Sequence, residues 1–433
     1  MSSSKDLLGI YPPPIHFSHH LPVVSLGLIS IMSGFDDPDF VPPPPAQIDV
    51  AAFLTRLGNR PIFTRALLQH AATQLAKAKH GEAVEMIDCY GAKRRSVGQQ
   101  HDEPILRYHN FTTLADPEPY NILLHAEEGF RARVLKGCCG FGQTMESLVQ
   151  HAKFPVYMHF KPRTHQSLPY YDVGRMMDYT NLCMDVWAQC PEREALVASL
   201  QGMQHTAQVT NIVCIGHGKL DSSPESVVQH LAALTIAEHL TALYEDASQP
   251  LASPITIVAQ DPAYSDTDKT VLSLLKPGIA VVDDPAGFLA INEGSLVMSA
   301  YPSVPVKQIV ADLSAAFPAK GPAAMLWGSS ERDDKCGVDV VGVEFWELLY
   351  YANPGSPRLM AMLEGFEKLG PVNKGTDSGA DTPPEVQHEE ATTAAPSSIW
   401  TALSTFFAFF RRGIRAAAAL GQGHEPETGT EWM

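Results

Sequence analysis

The chain has 433 residues, of which 45% are hydrophobic, and its formal net charge at pH 7 is −17. This length accommodates two or three domains with sizeable cores. The acidic charge excludes a general affinity for nucleic acid, because phosphate contacts require clustered lysines and arginines.

Seven cysteines occur without any CxxC pair, a pattern that indicates reduced thiols in an intracellular protein. The opening residues lack the basic segment followed by an apolar one that marks a signal peptide. No apolar run reaches the roughly 18–20 residues of a membrane span. We therefore predict a soluble protein of the cytoplasm or nucleus that is not secreted.

In chain order, residues 1–55 form a proline-rich arm, since "YPPP" and "VPPPP" lack backbone donors and stay extended. An SH3-type partner of this arm is one alternative. Residues 56–205 are predicted to form a mixed α/β region that packs on the core. Their pattern indicates a helix that stops at Gly81, strands in "AVEMIDCYG" and "PILRYHNFTTL", and helices after Tyr171.

Residues 206–352 alternate between apolar runs and helical patterns, which predicts a parallel sheet with right-handed crossovers. The runs are continuously apolar, as expected where helices cover both faces. The fold class is therefore α/β, a Rossmann-like, mostly parallel sheet. The predicted strands are 209–216, 254–261, 278–284, 295–302 and 323–329, and the predicted helices are 224–245, 265–275 and 305–317.

Beyond this domain, residues 353–398 have the composition of a disordered linker, and 421–433 that of a disordered tail. Between them, 399–420 reads as a basic amphipathic helix. This helix either folds back on the main body or contacts a membrane surface or a protein partner. Its apolar side carries Trp400, Leu403, Phe407, Phe410 and Ile414, and another side carries Arg411, Arg412 and Arg415.

Ligands of open parallel sheets bind outside the carboxyl ends of the strands, so the residues next to those ends are the candidates for a site. We assign no catalytic residue, because no nucleophile elbow is visible, and no metal site, because no metal-ligand spacing is visible. The candidate ligand-binding residues are Gly216, His217, Gly218, Lys219, Asp221, Asp261, Tyr264, Asn292, Glu293 and Tyr301.

The Gly216-His217-Gly218 turn follows the first strand of the domain and precedes a helix start. Ser222-x-x-Glu225 has the spacing of a capping box, and free amides at a helix start can hold an anion. The third glycine of a dinucleotide-binding GxGxxG motif is replaced by Asp221. Two interpretations stay open, a ligand-binding turn and a structural corner.

Asp261 ends the second strand, where an acid accepts the ribose hydroxyls in dinucleotide- and adenosine-binding folds. The alternative is that it caps the following helix. His217 has a pKa suited to acid–base chemistry, although a solvated loop histidine is the simpler interpretation. His230 and His239 are expected to face solvent from the long helix.

Residues 209–327 resemble the domain of the SRR-like (sensitivity to red light reduced) family, here as a fungal-type member. The resemblance rests on "IVCIGHGKL", "QHLAALTIAEHL", "DPAYSDTDKTVLSLL", "INEGSLVMSAYPSVP" and "AMLWGS". The family commonly has "MPHC" after the fourth strand, where this chain has "AYPSVP". The resemblance implies a Rossmann-like fold and a regulatory role, with no established biochemical activity.

We therefore predict a regulatory or interaction protein with protein partners. The alternative is an enzyme that binds S-adenosylmethionine, such as a methyltransferase-like protein, or another nucleotide. A nicotinamide-dependent oxidoreductase is the least favoured, because the third glycine is missing. The cofactor is left unassigned.

Overall fold

The structure is a computed structural model of the chain. It describes residues 46–47, 49–97, 102–115, 151–162, 171–205, 207–300, 302–327, 341–343 and 355–366. The strands are β1 (Ala46–Gln47), β2 (Val84–Ile87), β3 (Lys93–Ser96), β4 (Asp102–Tyr108), β5 (Val156–Pro162), β6 (Asn211–Ile215), β7 (Thr256–Gln260), β8 (Ile279–Val281), β9 (Ser295–Ser299), β10 (Ala324–Trp327) and β11 (Val341–Val343).

The helices are α1 (Val50–Arg56), α2 (Arg65–Lys79), α3 (Phe111–Ala115), α4 (Val173–Ala188), α5 (Pro191–Leu200), α6 (Pro224–Asp246), α7 (Asp266–Leu274), α8 (Ala286–Ala290), α9 (Val306–Ser314) and α10 (Pro357–Leu363). A short 3-10 helix, Gln201–His205, leads from α5 towards β6. The predicted alternation of strands and helices in the second half is confirmed, with ends shifted by a few residues.

Five parallel strands form the central sheet in the order β10-β9-β6-β7-β8. Chain order reverses between β6 and β9, so the crevice at their carboxyl ends is the switch point of the sheet. The predicted α/β fold class with a parallel sheet is confirmed. Three two-stranded antiparallel pairs accompany this sheet among the described residues: β1–β11, β2–β3 and β4–β5.

The central sheet is apolar on both faces. Val213, Ile215 and Val297 face one hydrophobic cluster, which also contains residues of α1, α2, α9 and the β4–β5 pair. Ile212, Cys214 and the alternate residues of β9 face a second cluster with α4, α5, α6 and α7. Because successive side chains of a strand point to opposite faces, a continuously apolar strand serves both cores.

Helix α6 is buried over most of its length, including His230. A helix that is hydrophobic all round lies inside a protein rather than on its surface. The expectation that His230 faces solvent is therefore wrong, while His239 is partly exposed, in agreement with the expectation for that residue.

Two short helices lie inside segments that composition alone assigns to an arm and a linker. Helix α1 begins at Val50, within the predicted arm 1–55, and buries Phe53 and Leu54. Helix α10 lies within the predicted linker 353–398 and buries Leu359 and Met362. Burial against the core stabilises both helices, which are shorter than the roughly 12–15 residues that an isolated helix needs.

Several predicted segments lie outside the described residues: most of the arm 1–55, most of the linker 353–398, the helix 399–420 and the tail 421–433. Within the described part of the chain, no helix is both long and apolar enough to cross a membrane. The four cysteines that the structure describes, Cys89, Cys183, Cys190 and Cys214, are free thiols.

Candidate functional site

The Gly216-His217-Gly218 turn lies at the switch point of the sheet, directly after β6. Gly216 and Gly218 have φ values of +72° and +74°, which L residues rarely adopt. A Cβ on Gly216 would lie 3.2 Å from the Cα of Pro302, in the connection that follows β9. Gly216 is therefore needed for a close approach of two backbones.

Two amides at the turn and just after it donate to carboxylates of the chain. The Gly218 N–H donates to Asp261 Oδ2 at 2.9 Å, and the Leu220 N–H donates to Asp268 Oδ1 at 3.0 Å. The second oxygen of Asp261 accepts from the Ala263 N–H at 2.8 Å. Two carboxylates of the protein thus occupy the acceptor positions at these two amides.

Burial raises the pKa of Asp261 above its ordinary value, although the Ala263 and Gly218 amides act in the opposite direction. Asp268 is 1% exposed, and its Oδ2 accepts from both the N–H and the hydroxyl of Ser265. Asp268 and Ser265 form a complete capping box at the start of α7. Asp268 therefore joins the glycine turn to helix α7.

The long helix α6 begins with Ser223 as N-cap, which accepts from the Ser226 N–H at 3.3 Å, and with Pro224 in its first turn. The capping box predicted at Ser222 and Glu225 is not the cap that forms. The Ser226 hydroxyl donates to the His217 carbonyl at 2.7 Å and ties the helix to the turn. The start of α6 is thus held mainly by its own serines.

His217 and His230 form a buried polar pair beneath the turn, with ring centroids 5.3 Å apart. His217 is 3% exposed, so the interpretation of a solvated loop histidine is wrong. His230 Nδ1 lies 2.7 Å from the Ser226 carbonyl, which can only accept, so Nδ1 carries the proton. His230 Nε2 therefore accepts from the Tyr264 hydroxyl, 2.6 Å away.

Burial lowers the pKa of His230 to about 4, and burial together with His230 lowers that of His217 well below its usual range. Both rings are therefore neutral at pH 7. His217 bonds the Met298 carbonyl, while its Nδ1 is buried without a hydrogen-bond partner. Tyr264 is 8% exposed, and its contribution here is to satisfy His230.

The remaining predicted site residues are not all brought together. Lys219 and Asp221 lie on the outer side of the glycine turn, Lys219 partly exposed and Asp221 exposed.

Asn292 and Glu293 are exposed and precede β9, so they lie at the amino edge of the sheet, opposite to the turn. The Asn292 side chain instead caps its own turn by accepting from the Gly294 N–H at 2.8 Å. Tyr301 lies outside the described residues.

A second polar cluster lies at the carboxyl edge, beyond β7 and β8, and contains residues absent from the predicted site. Asp284 Oδ1 accepts from the Tyr108 hydroxyl and, at 3.0 Å, from the Gln260 side-chain amide. Gln260 Oε1 in turn accepts from the Gly287 N–H at 2.7 Å. Two donors therefore fix one oxygen of Asp284.

Burial raises the pKa of Asp284 to about 7, and the Tyr108 hydrogen bond only partly opposes this effect. A carboxyl group with this pKa can accept or donate a proton near neutral pH. Asp284 could have been found from the sequence, since it follows the third strand of the domain. Tyr108 could not, because it lies 176 positions away at the end of β4.

Among the described residues, no group of three or more His, Cys, Asp or Glu side chains is arranged to hold a metal ion. The polar groups that the structure describes at this edge include the glycine turn and the Asp284 cluster. In the first, the amides of Gly218 and Leu220 donate to Asp261 and Asp268. The second contains a carboxyl group that can exchange a proton near neutral pH.

Comparison with known proteins gives a family match for part of the chain. Residues 196–355 match the model of the SRR1 domain. This match covers β6 to β10 and both polar clusters apart from Tyr108, and it confirms the predicted SRR-like domain. No curated protein and no solved structure gave a significant match to the chain.

Proposed function

We propose that this protein is a regulatory or interaction protein in which a Rossmann-like SRR1 domain serves as a scaffold for protein partners. The observation that carries this proposal is the filled glycine turn, where Asp261 and Asp268 accept from the amides of Gly218 and Leu220. A phosphate that binds these two amides would have to displace two internal carboxylates. This arrangement favours a structural turn over a nucleotide site.

The first test is thermal unfolding of the full chain with S-adenosylmethionine, S-adenosylhomocysteine, NAD, NADP, ATP and haem. A ligand at about 100 times its dissociation constant adds about 2.7 kcal/mol to the free energy of unfolding, which gives a clear rise in Tm. We expect no rise with any of the six compounds.

Lys219→Gln is the matched variant for this test, because Lys219 is partly exposed and its replacement leaves the bonds of the turn intact. A rise in Tm that is seen with the unmodified chain and lost in Lys219→Gln would place a ligand at the turn. That result would overturn the scaffold proposal and favour the alternative, a methyltransferase-like or other nucleotide-binding enzyme.

A second candidate function, a ligand-binding enzyme, is favoured by one observation, the Asp284 carboxyl group with its raised pKa. In this role Asp284 would act as a general base or bind a hydrogen-bond donor of the ligand. A ligand effect lost in Asp284→Asn but kept in Asp283→Asn would support it. Asp283 is a suitable control because it is exposed and pairs with Lys79 at 3.0 Å.

Residues 399–420 provide a separate test of the interaction role, since their sequence is that of a basic amphipathic helix. We expect that deleting 399–420 removes recruitment of the full chain to a membrane surface or a protein partner. Deleting 421–433 is the control, because that segment lacks the apolar and basic pattern. The measurement is the cellular distribution of tagged chains, together with co-sedimentation with anionic vesicles. An unchanged distribution after the first deletion would count against this role.

A further inference from the structure

The β2–β3 hairpin presents a basic strand on a strongly acidic protein. Strand β3 consists of Lys93-Arg94-Arg95-Ser96, and its first three residues are exposed. Within the described residues, β3 pairs with β2 alone, and no described strand lies along its other edge. Arg94 is engaged in a separate interaction and is not counted in the surface. The surface is therefore defined by Tyr90, Lys93, Arg95 and Val97, here called the basic edge surface.

The register of the hairpin places Lys93 opposite Ile87 and Arg95 opposite Glu85, so these four side chains share the outward face. Lys93 Nζ lies 2.8 Å from Glu85 Oε1. Tyr90, in the turn before the strand, is 57% exposed, and Val97, directly after the strand, is 65% exposed. The surface thus combines two cations with an apolar side chain at each end.

The local electrostatic field at this hairpin favours carboxylates, although the whole chain carries a charge of −17. The pKa of Glu85 is lowered, chiefly by its hydrogen bond to Lys93, and the charges of His70 and Lys77 act in the same direction. An acidic group from a partner would meet the same cations. Charge complementarity therefore identifies the chemistry of the partner.

We propose that the basic edge surface binds an acidic, extended segment of a protein partner, which adds as a strand to β3. Backbone hydrogen bonds would hold the added strand, and side chains that alternate along it would set the specificity. Acidic residues that share the face of Lys93 and Arg95 would contact these two cations, and apolar residues at the ends of the added segment would contact Tyr90 and Val97. This inference rests on the proposed interaction function and names its partner class.

The same cations select against other strands. Lysines and arginines on an exposed edge repel a second basic edge, including that of another copy of this chain, and discourage pairing with neutral strands. An acidic strand, in contrast, is attracted by these positive charges. The edge is therefore selective rather than generally adhesive.

The test measures binding of two fluorescent peptides of about ten residues to the full chain by anisotropy. One alternates Asp with Val, and the other alternates Asn with Val. We expect the Asp peptide to bind about tenfold or more tightly than the Asn peptide at low salt, and to lose most of this advantage at high salt.

Three variants locate the binding. Arg95→Gln should weaken binding of the Asp peptide by about two- to fivefold, the effect expected for the loss of an exposed ion pair. Glu85→Gln should strengthen it, because it removes a carboxylate that competes for Lys93. Lys269→Gln removes an equal charge from an exposed position on α7 and should leave binding unchanged. Circular dichroism and Tm verify that each variant is folded.

Equal binding of the two peptides, or an unchanged affinity in Arg95→Gln, would overturn the inference. Equally tight binding of a single-stranded oligonucleotide would assign the surface to nucleic acid and would also overturn it. If the peptides fail to bind while all six compounds leave Tm unchanged, only the edge inference is lost. A rise in Tm that is lost in Lys219→Gln would contradict the proposed function, whether or not the peptides bind.

Discussion

Replacing Asp312 with alanine should lower the free energy of unfolding by about 3–5 kcal/mol, the cost of breaking a buried ion pair. Asp312 is 2% exposed and joins three distant segments. Its Oδ2 accepts from the N–H groups of Ile62 and Phe63 at 2.7 and 2.8 Å, and its Oδ1 accepts from Arg358 at 2.5 Å. The alanine variant leaves two amides and a guanidinium without their acceptor.

A double-mutant cycle with Arg358→Ala separates the pair from the rest of this network, with urea unfolding as the measurement. The loss in the double variant should be clearly smaller than the sum of the two single losses, because each single variant already breaks the pair. Lys269→Ala is the control, since its exposed pair with Asp266 spans 3.9 Å and should contribute less than about 1 kcal/mol. A loss below about 1 kcal/mol in Asp312→Ala would contradict this account.

Replacing Asp284 with asparagine should stabilise the protein at pH 8 by about 2–4 kcal/mol and change little at pH 4. The pKa of Asp284 is about 7 in the folded protein, against an ordinary value of 3.8. Between these values the folded state binds more protons than the unfolded state, so this residue lowers stability as the pH rises. Asparagine cannot ionise, and its side-chain oxygen can still accept from Tyr108 and Gln260.

The buried histidines make stability rise with pH, which is opposite to the effect of Asp284. The reason is that burial lowers the pKa of His109, His159 and His230 to about 4. Their contribution to stability is lost as the pH falls from about 6.5 to 4. It is present in both proteins and cancels when the variant is compared with the original chain. The difference between the two pH profiles therefore reports Asp284 alone.

Urea unfolding between pH 4 and 8 measures this difference. Asp283→Asn is the neighbouring control, because Lys79 lowers the pKa of that exposed carboxylate. We expect the control to lose slightly in stability at pH 8 and not to gain. If Asp284→Asn raises the free energy of unfolding no more at pH 8 than at pH 4, the Asp284 carboxyl does not ionise near pH 7 in the folded protein.

Much of the SRR1 domain was predictable because its strands are apolar runs and its helices start at recognisable signals. The predicted strand 209–216 contains β6, and the predicted helix 224–245 differs from α6 by one residue at its end. The edge at which Asn292 and Glu293 lie was also predictable. Residues that precede a strand of a parallel sheet lie at the amino edge, away from the residues that follow the other strands.

The sequence by itself determined the α/β class, the order of the elements and the position of the glycine turn, because these depend on patterns within a few residues of each other. Only the tertiary structure decided that this turn is filled by Asp261 and Asp268, which come 43 and 48 positions after their amide partners. It alone buried His230 and placed Tyr108 against Asp284. Hydrogen bonds between distant segments form only after the chain has folded, so no local pattern records them.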